Sequence, residues 1–316
     1  MGPETAGSGK VATRRGYGQM GGFVARTISF DEGAISCVEW AGPGPDAPLL
    51  HFAHGTGLNG RTYARLLEPL ASRFRIVSWD ARGHGGTTLP ADPAKLIDWQ
   101  PYVDDLARMI RHLSPGRPAL VAGHSLGGIT SLEMAAAHPE LVAAVMVLEP
   151  PLVPEDEIDS LNALRAEGRS RPIEEQMCER ASRRRAIWPD PATAVEAYRG
   201  RGAFATWDDA WLEDFVAAGL KQVGGEWHLA CEPLWEGKTY HAVSTRFWQG
   251  LERLQRPATI LHGDRMSPVS PASVAAIDRI GRARRVLVPG ATHFLPMEHP
   301  DIARAEILRL ADEAGL

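Results

Sequence analysis

A serine with a glycine two positions to either side, Gly123-His124-Ser125-Leu126-Gly127, is the residue set in this chain best suited to covalent chemistry. A hydroxyl is a weak nucleophile until a base takes its proton and the backbone lets it project. The G-x-S-x-G spacing meets the second need where a strand runs in and a helix leaves, because side chains at the glycine positions would clash in so tight a turn. The apolar run Ala119-Leu120-Val121-Ala122 leads into it and a helix-forming run follows. The N–H of Leu126 then falls at a helix N-terminus, where donors are unpaired and the dipole favours an oxyanion. Ser125 is therefore expected to be the nucleophile of an acyl transfer, with Leu126 as one oxyanion donor.

Three further segments carry candidate chemistry. Gly290-Ala291-Thr292-His293-Phe294-Leu295-Pro296-Met297-Glu298 resembles the G-x-x-H-x-x-x-x-E segment of the α/β-hydrolase superfamily, and Asp80-Ala81-Arg82-Gly83-His84-Gly85 resembles its D-x-R-G-x-G turn. With His54-Gly55-Thr56-Gly57 and the serine motif, the matched segments span residues 54–298. The chain is similar to the serine-nucleophile, esterase and lactonase-like branch of that superfamily. The resemblance implies that His293, after the last strand, is the base that accepts the Ser125 proton and returns it to the leaving group. It implies that Thr56 supplies the second oxyanion N–H, that Asp80 and Arg82 brace loops, and that His54 and His84 are structural.

The acid departs from the pattern. The superfamily's commonest arrangement puts an aspartate where this chain has Met266, in Gly263-Asp264-Arg265-Met266-Ser267-Pro268. Methionine cannot charge-stabilise an imidazolium. Asp264 lies two positions early in that turn. Glu149 ends the strand in Val147-Leu148-Glu149-Pro150-Pro151, where some superfamily branches place their acid. A carboxylate ending an apolar strand needs a partner. Glu149 is favoured, with Asp264 as the alternative.

These residues must be positioned by strands and helices in alternation. Apolar runs at 49–53, 75–79, 119–122, 143–148, 258–261 and 285–288 read as strands, with two more at 23–30 and 34–40. Helical patterns at 63–71, 102–113, 127–137 and 300–314 lie between or after them. Continuous apolar runs flanked by helices require a mostly parallel, doubly wound sheet covered on both faces. The expected fold is an α/β-hydrolase fold of eight strands. The core comprises residues 23–150 and 251–316, residues 151–250 form a helical cap, and residues 1–22 form a flexible arm. The insert is rich in tryptophan, and Trp188, Trp207 and Trp211 are candidate pocket residues, although most such aromatics are expected to be the lobe's own core.

At 316 residues, with a net charge of −5, the chain can bury a large core and has no broad positive field for nucleic acid or an anionic membrane. Three scattered cysteines, Cys37, Cys178 and Cys231, form no disulfide framework or zinc pattern. The absence of a signal-like segment makes the cytoplasm the expected location. The expected activity is cleavage of a small, largely apolar ester or lactone, without cofactor or metal. Carbon–carbon bond hydrolysis, perhydrolysis and a non-catalytic receptor remain alternatives, and oligomeric state is open.

Overall fold

The computed structural model of the chain describes residues 22–316, so the expected arm lies, but for Gly22, outside the described residues. Six strands form before the insert: β1 (Val24–Phe30), β2 (Gly33–Trp40), β3 (Leu49–Ala53), β4 (Arg75–Trp79), β5 (Ala119–His124) and β6 (Val142–Leu148). Within the insert lie β7 (Ile187–Trp188), β8 (Leu220–Val223) and β9 (Glu226–Leu229), and after it β10 (Ala258–Gly263) and β11 (Arg284–Val288). The main sheet has eight strands in the order β1-β2-β4-β3-β5-β6-β10-β11. The pairs β1–β2 and β2–β4 are antiparallel and the other pairs parallel.

Every residue of β3 and of β5 is buried, as expected of central parallel strands covered on both faces. One face packs Trp79, Trp99, Tyr102, Leu106, Ile129 and Leu132 under the helices Gln100–Leu113 and Leu126–Ala137. The other packs Phe52, Leu66, Phe74, Ile307 and Leu310 under the helix Pro300–Glu313 and the 60–72 segment. That segment is not the single helix read at 63–71. It is a short α-helical turn, Ala64–Leu67, between two 3-10 turns, Gly60–Tyr63 and Glu68–Ser72. Pro69 has no N–H to continue an α-helical ladder, so the run breaks there.

From β3 the chain steps outward to β4 and then returns past β3 to β5. Adjacent parallel strands whose connections leave in opposite directions open a crevice at their C-terminal ends. The loops after β3 and β5 carry Gly55-Thr56-Gly57 and Ser125, so the topology itself puts that glycine-flanked segment beside the serine.

Between β6 and β10 the insert holds the helices Ile158–Ala166, Pro172–Ser182, Pro191–Tyr198, Asp209–Gly219 and Pro233–His241. It also holds a three-stranded antiparallel sheet in the order β7-β9-β8, which the reading of this stretch as a helical lobe did not include. The helix Phe247–Arg253 straddles the boundary expected at residue 250 and packs on the helix Leu126–Ala137, so it lies against the core. Among the described residues no helix is long and apolar enough to cross a membrane, and all three cysteines are free thiols.

Candidate active site

Ser125 stands between β5 and the helix Leu126–Ala137 with φ 55° and ψ −122°, a conformation that L-residues seldom adopt. Its N–H donates to Leu148 O at 2.9 Å, which ties the turn to the end of β6. The flanking glycines are required by close approach. A Cβ on Gly123 would lie 2.2 Å from Gly127 O, and one on Gly127 would lie 2.1 Å from Ala53 O. Gly127 O belongs to the helix that leaves the turn and Ala53 O to the end of β3, so neither can move without disturbing one of those elements.

The loop after β11 brings His293 to this serine: Nε2 lies 3.2 Å from Ser125 Oγ. Glu298, the last residue of the histidine segment, anchors the loop by accepting from Thr292 N–H at 2.8 Å and from Thr292 Oγ1 at 2.6 Å. On the far side of the ring, Nδ1 lies 3.5 Å from Glu149 Oε2. Glu149 is fully buried, and its own backbone takes φ 50°. Its carboxylate is held by Gly263 N–H on Oε1 and by the Ser267 hydroxyl, which donates to Oε2 at 2.9 Å. Asp264 is placed elsewhere: it is exposed and accepts from Gly290 N–H at 2.8 Å. Met266 projects into solvent at 80% exposure. The structure therefore brings Ser125, His293 and Glu149 together and leaves Asp264 outside. Ser267 carried no sequence signal, since a serine next to a turn methionine is unremarkable until the fold lays it on the β6 carboxylate.

The loop after β3 lies against Ser125. A Cβ on Gly55 would sit 3.2 Å from Ser125 Cβ. Among the described residues neither the Thr56 N–H nor the Leu126 N–H has an intrachain acceptor, so both are free to meet a developing oxyanion. The neighbouring groups are all committed. His54 Nε2 accepts from Ala81 N–H at 2.9 Å while its Nδ1–H donates to Gly55 O at 2.7 Å. His84 Nε2 accepts from Gly57 N–H at 3.0 Å while its Nδ1–H donates to Arg82 O at 2.9 Å. Each ring uses one nitrogen as acceptor, and burial keeps both neutral, pushing His54 down to about 4 and His84 to about 3.

Asp80 joins the same scaffold by accepting from Gly60 N–H and Gly86 N–H, each at 2.9 Å. Arg82 forms a two-pronged pair with Asp105 at 2.9 and 2.8 Å.

The insert reaches the site through Glu236 and Trp207. Glu236 of the helix Pro233–His241 presses on Gly57 (φ 73°), where an added Cβ would fall 2.6 Å from Glu236 Oε1. Burial raises the Glu236 carboxyl, an effect that Arg184, bonded to Glu236 Oε2, opposes. Trp207 stands edge-on to Phe294, the neighbour of His293, with ring centroids 5.5 Å apart. Of the three candidate pocket tryptophans, Trp207 is the one with a ring contact to the histidine loop. Trp188 packs on Tyr198 and under Arg185, and Trp211 is buried in the apolar cluster that continues into the core around Phe52 and Leu66. Among the described residues no group of three His, Cys, Asp or Glu side chains is arranged to hold a metal ion.

With that geometry in view, comparison with known proteins places the fold. The pattern of the alpha/beta hydrolase family matches residues 52–306, and the chain belongs to that family. A 2-(acetamidomethylene)succinate hydrolase from Mesorhizobium japonicum is 28% identical over 292 residues, covering 92% of this chain and 96% of that protein. A bifunctional esterase/perhydrolase from Acinetobacter calcoaceticus is 25% identical over 269 residues, covering 83% and 91%. The crystal structure of E-2-(acetamidomethylene)succinate hydrolase superposes with a TM-score of 0.74 at 26% identity, covering 92% of this chain and 99% of the other.

Proposed function

We propose that the protein is a serine hydrolase that cleaves a small carboxylic ester or lactone through an acyl-enzyme on Ser125. The observation that carries this reading is the line of Ser125 Oγ, His293 Nε2 at 3.2 Å, and Glu149 Oε2 at 3.5 Å from the other ring nitrogen. The His293–Glu149 contact is longer than a formed hydrogen bond, and such contacts commonly tighten when substrate binds. In the first half-reaction Ser125 Oγ bonds to the carbonyl carbon while His293 Nε2 takes the hydroxyl proton. The N–H groups of Thr56 and Leu126 hold the oxyanion, and the carbon–oxygen bond breaks as His293 protonates the leaving alkoxide. A water then attacks the acyl-enzyme with His293 again as base, releasing the acid. Glu149 holds the imidazole orientation and stabilises its charged form. The insert roofs the site, with Trp207 and Phe294 as the apolar contact for substrate.

The full-length similarity to a hydrolase whose name specifies an acetamido-bearing dicarboxylate favours a second reading, in which the acyl bond cleaved is an amide. The similarity to an esterase/perhydrolase keeps peroxide open as an acyl acceptor in place of water. A panel of p-nitrophenyl esters, lactones and acetamido compounds tests these together. Turnover of esters or lactones that is lost in Ser125→Ala is expected. Turnover confined to amides, or unchanged in Ser125→Ala, overturns the ester reading.

A further inference from the structure

Two buried polar side chains outside the Ser125–His293–Glu149 line join all three loops that meet at the serine. Tyr63 and His124 are almost wholly inaccessible, with relative exposures of 0% and 1%. Gly55 N–H, in the loop after β3, donates to Tyr63 Oη at 3.2 Å. Tyr63 Oη lies 2.6 Å from His124 Nδ1, and His124 Nε2 lies 2.7 Å from the backbone oxygen of His293.

The protons in this chain have one consistent arrangement. A carbonyl oxygen can only accept, so His124 Nε2 carries the hydrogen. Nδ1 is then bare and must accept from the Tyr63 hydroxyl. The Tyr63 oxygen keeps a lone pair, which takes the Gly55 N–H. Burial disfavours charge on either ring: it raises the Tyr63 hydroxyl and holds His124 well below its ordinary value, with His293 adding to the latter. Each donor therefore has one acceptor and none is spare.

The packing leaves no slack either. A Cβ on Gly55 would lie 3.1 Å from His124 Nδ1. The His124 and His293 rings are 4.8 Å apart, centroid to centroid.

We propose that Tyr63 and His124 are positioning residues that fix the oxyanion loop and the histidine loop relative to Ser125 through the chain Gly55–Tyr63–His124–His293. The consequence is geometric. Residue 124 is covalently next to the nucleophile, so any shift of the His293 backbone away from Ser125 must break the Nε2–H bond to its carbonyl. Any shift of Gly55 must break its bond to Tyr63. Such a device acts on the chemical step, since misplacement of reacting groups by about 1 Å can cost about 100-fold in rate.

The proposal rests on the reading of Ser125 and His293 as nucleophile and base, and its test separates the two. Amide isosteres split the chain at His124. His124→Gln keeps a donor near the Nε2 position, facing the His293 carbonyl. His124→Asn keeps a polar group near Nδ1, facing Tyr63. Tyr63→Phe removes the hydroxyl and retains the ring. Assayed on an ester that the wild type cleaves, Tyr63→Phe and His124→Asn are expected to lose about 10- to 100-fold in kcat with KM within about threefold, and His124→Gln to recover at least about tenfold of the Asn loss. Folding is followed by thermal melting of each variant.

A lowered melting temperature with kcat unchanged throughout, or Gln no better than Asn, overturns the proposal. Nitrogen-15 NMR of the imidazoles reads the chain without any substrate. At neutral pH His124 is expected as the neutral Nε2–H form, with the Nδ1 resonance shifted in Tyr63→Phe. A His124 that is charged or Nδ1-protonated overturns the chain even if no ester is cleaved. Failure of wild-type turnover with the NMR signature intact would count against the hydrolase reading alone.

Discussion

Glu149 bears on the mechanism most sharply at the scale of single residues, because its amide variant keeps its shape and removes its charge. Glu149→Gln is expected to lower kcat by about 10³- to 10⁴-fold, as when a triad imidazole is left in the wrong tautomer, whereas Asp264→Asn stays within about threefold. Steady-state kinetics of the two variants side by side decides the assignment, and the reverse pattern would assign the acid to Asp264. The Ser267 hydroxyl holds one carboxylate oxygen and itself accepts from Val269 N–H at 3.2 Å. Ser267→Ala leaves Oε2 to His293 alone and should lower kcat by about tenfold, roughly one lost hydrogen bond to a charged group.

Ser125 and His293 were legible in the sequence because each sits in a segment whose neighbours are constrained by the turn around it. Glu149 was legible as a carboxylate ending an apolar run. Tyr63, His124, Ser267 and Glu236 were not. Each is an ordinary residue in its own segment and gains its role from a loop brought to it by the sheet.

At the scale of elements, β3 carries an odd core residue. His51 is fully buried, stacks edge-on to Trp79 at 5.4 Å, and among the described residues has no partner at either ring nitrogen. Burial pushes it down to about 3. In the unfolded chain its pKa returns to about 6.5, so between about pH 6.5 and 3 the unfolded state binds the extra proton. Stability from this group is thus full above pH 6.5 and falls with acid by about 1.4 kcal/mol per pH unit.

The buried carboxyls Asp80, Glu133 and Glu236 are shifted up by burial and work in the opposite sense, so a difference between variants is the clean observable. His51→Leu, close in volume, should stabilise the protein by about 1–3 kcal/mol at pH 7 by removing unpaired buried polar atoms. It should gain more at pH 5, and urea melts at the two values check both signs. An equal gain at pH 7 and pH 5 would show that His51 does not titrate on unfolding.

The small sheet of the insert escaped the sequence reading for a different reason. Its strands are two to four residues long and half exposed, so they show no clean alternation. The readable cue was Gly224-Gly225, both with positive φ, between Leu220–Val223 and Glu226–Leu229, a pairing favoured in two-residue hairpin turns.

Across the whole molecule, the insert is bolted to the core rather than draped over it. Trp235 Nε1 donates to Arg82 O at 3.1 Å, and Trp99 Nε1 donates to Thr239 O at 3.0 Å. Arg246 spans Asp98 and Glu133 at 2.7 and 3.4 Å. With the insert proposed as the roof of the site, Trp207→Ala should raise KM for apolar esters by about tenfold with kcat changed less, since it removes binding area shared by ground and transition states. A loss confined to kcat would place Trp207 in loop support instead of substrate contact.

Every proposed step requires that Ser125 be an activated nucleophile. A fluorophosphonate reports this without knowledge of the substrate, because attack by an activated serine forms an oxygen–phosphorus bond and expels fluoride. Intact-mass and peptide mapping should find one adduct, on Ser125, absent in Ser125→Ala and formed far more slowly in His293→Asn and Glu149→Gln. A folded wild-type protein that takes no label, or takes it at another residue, would contradict the account.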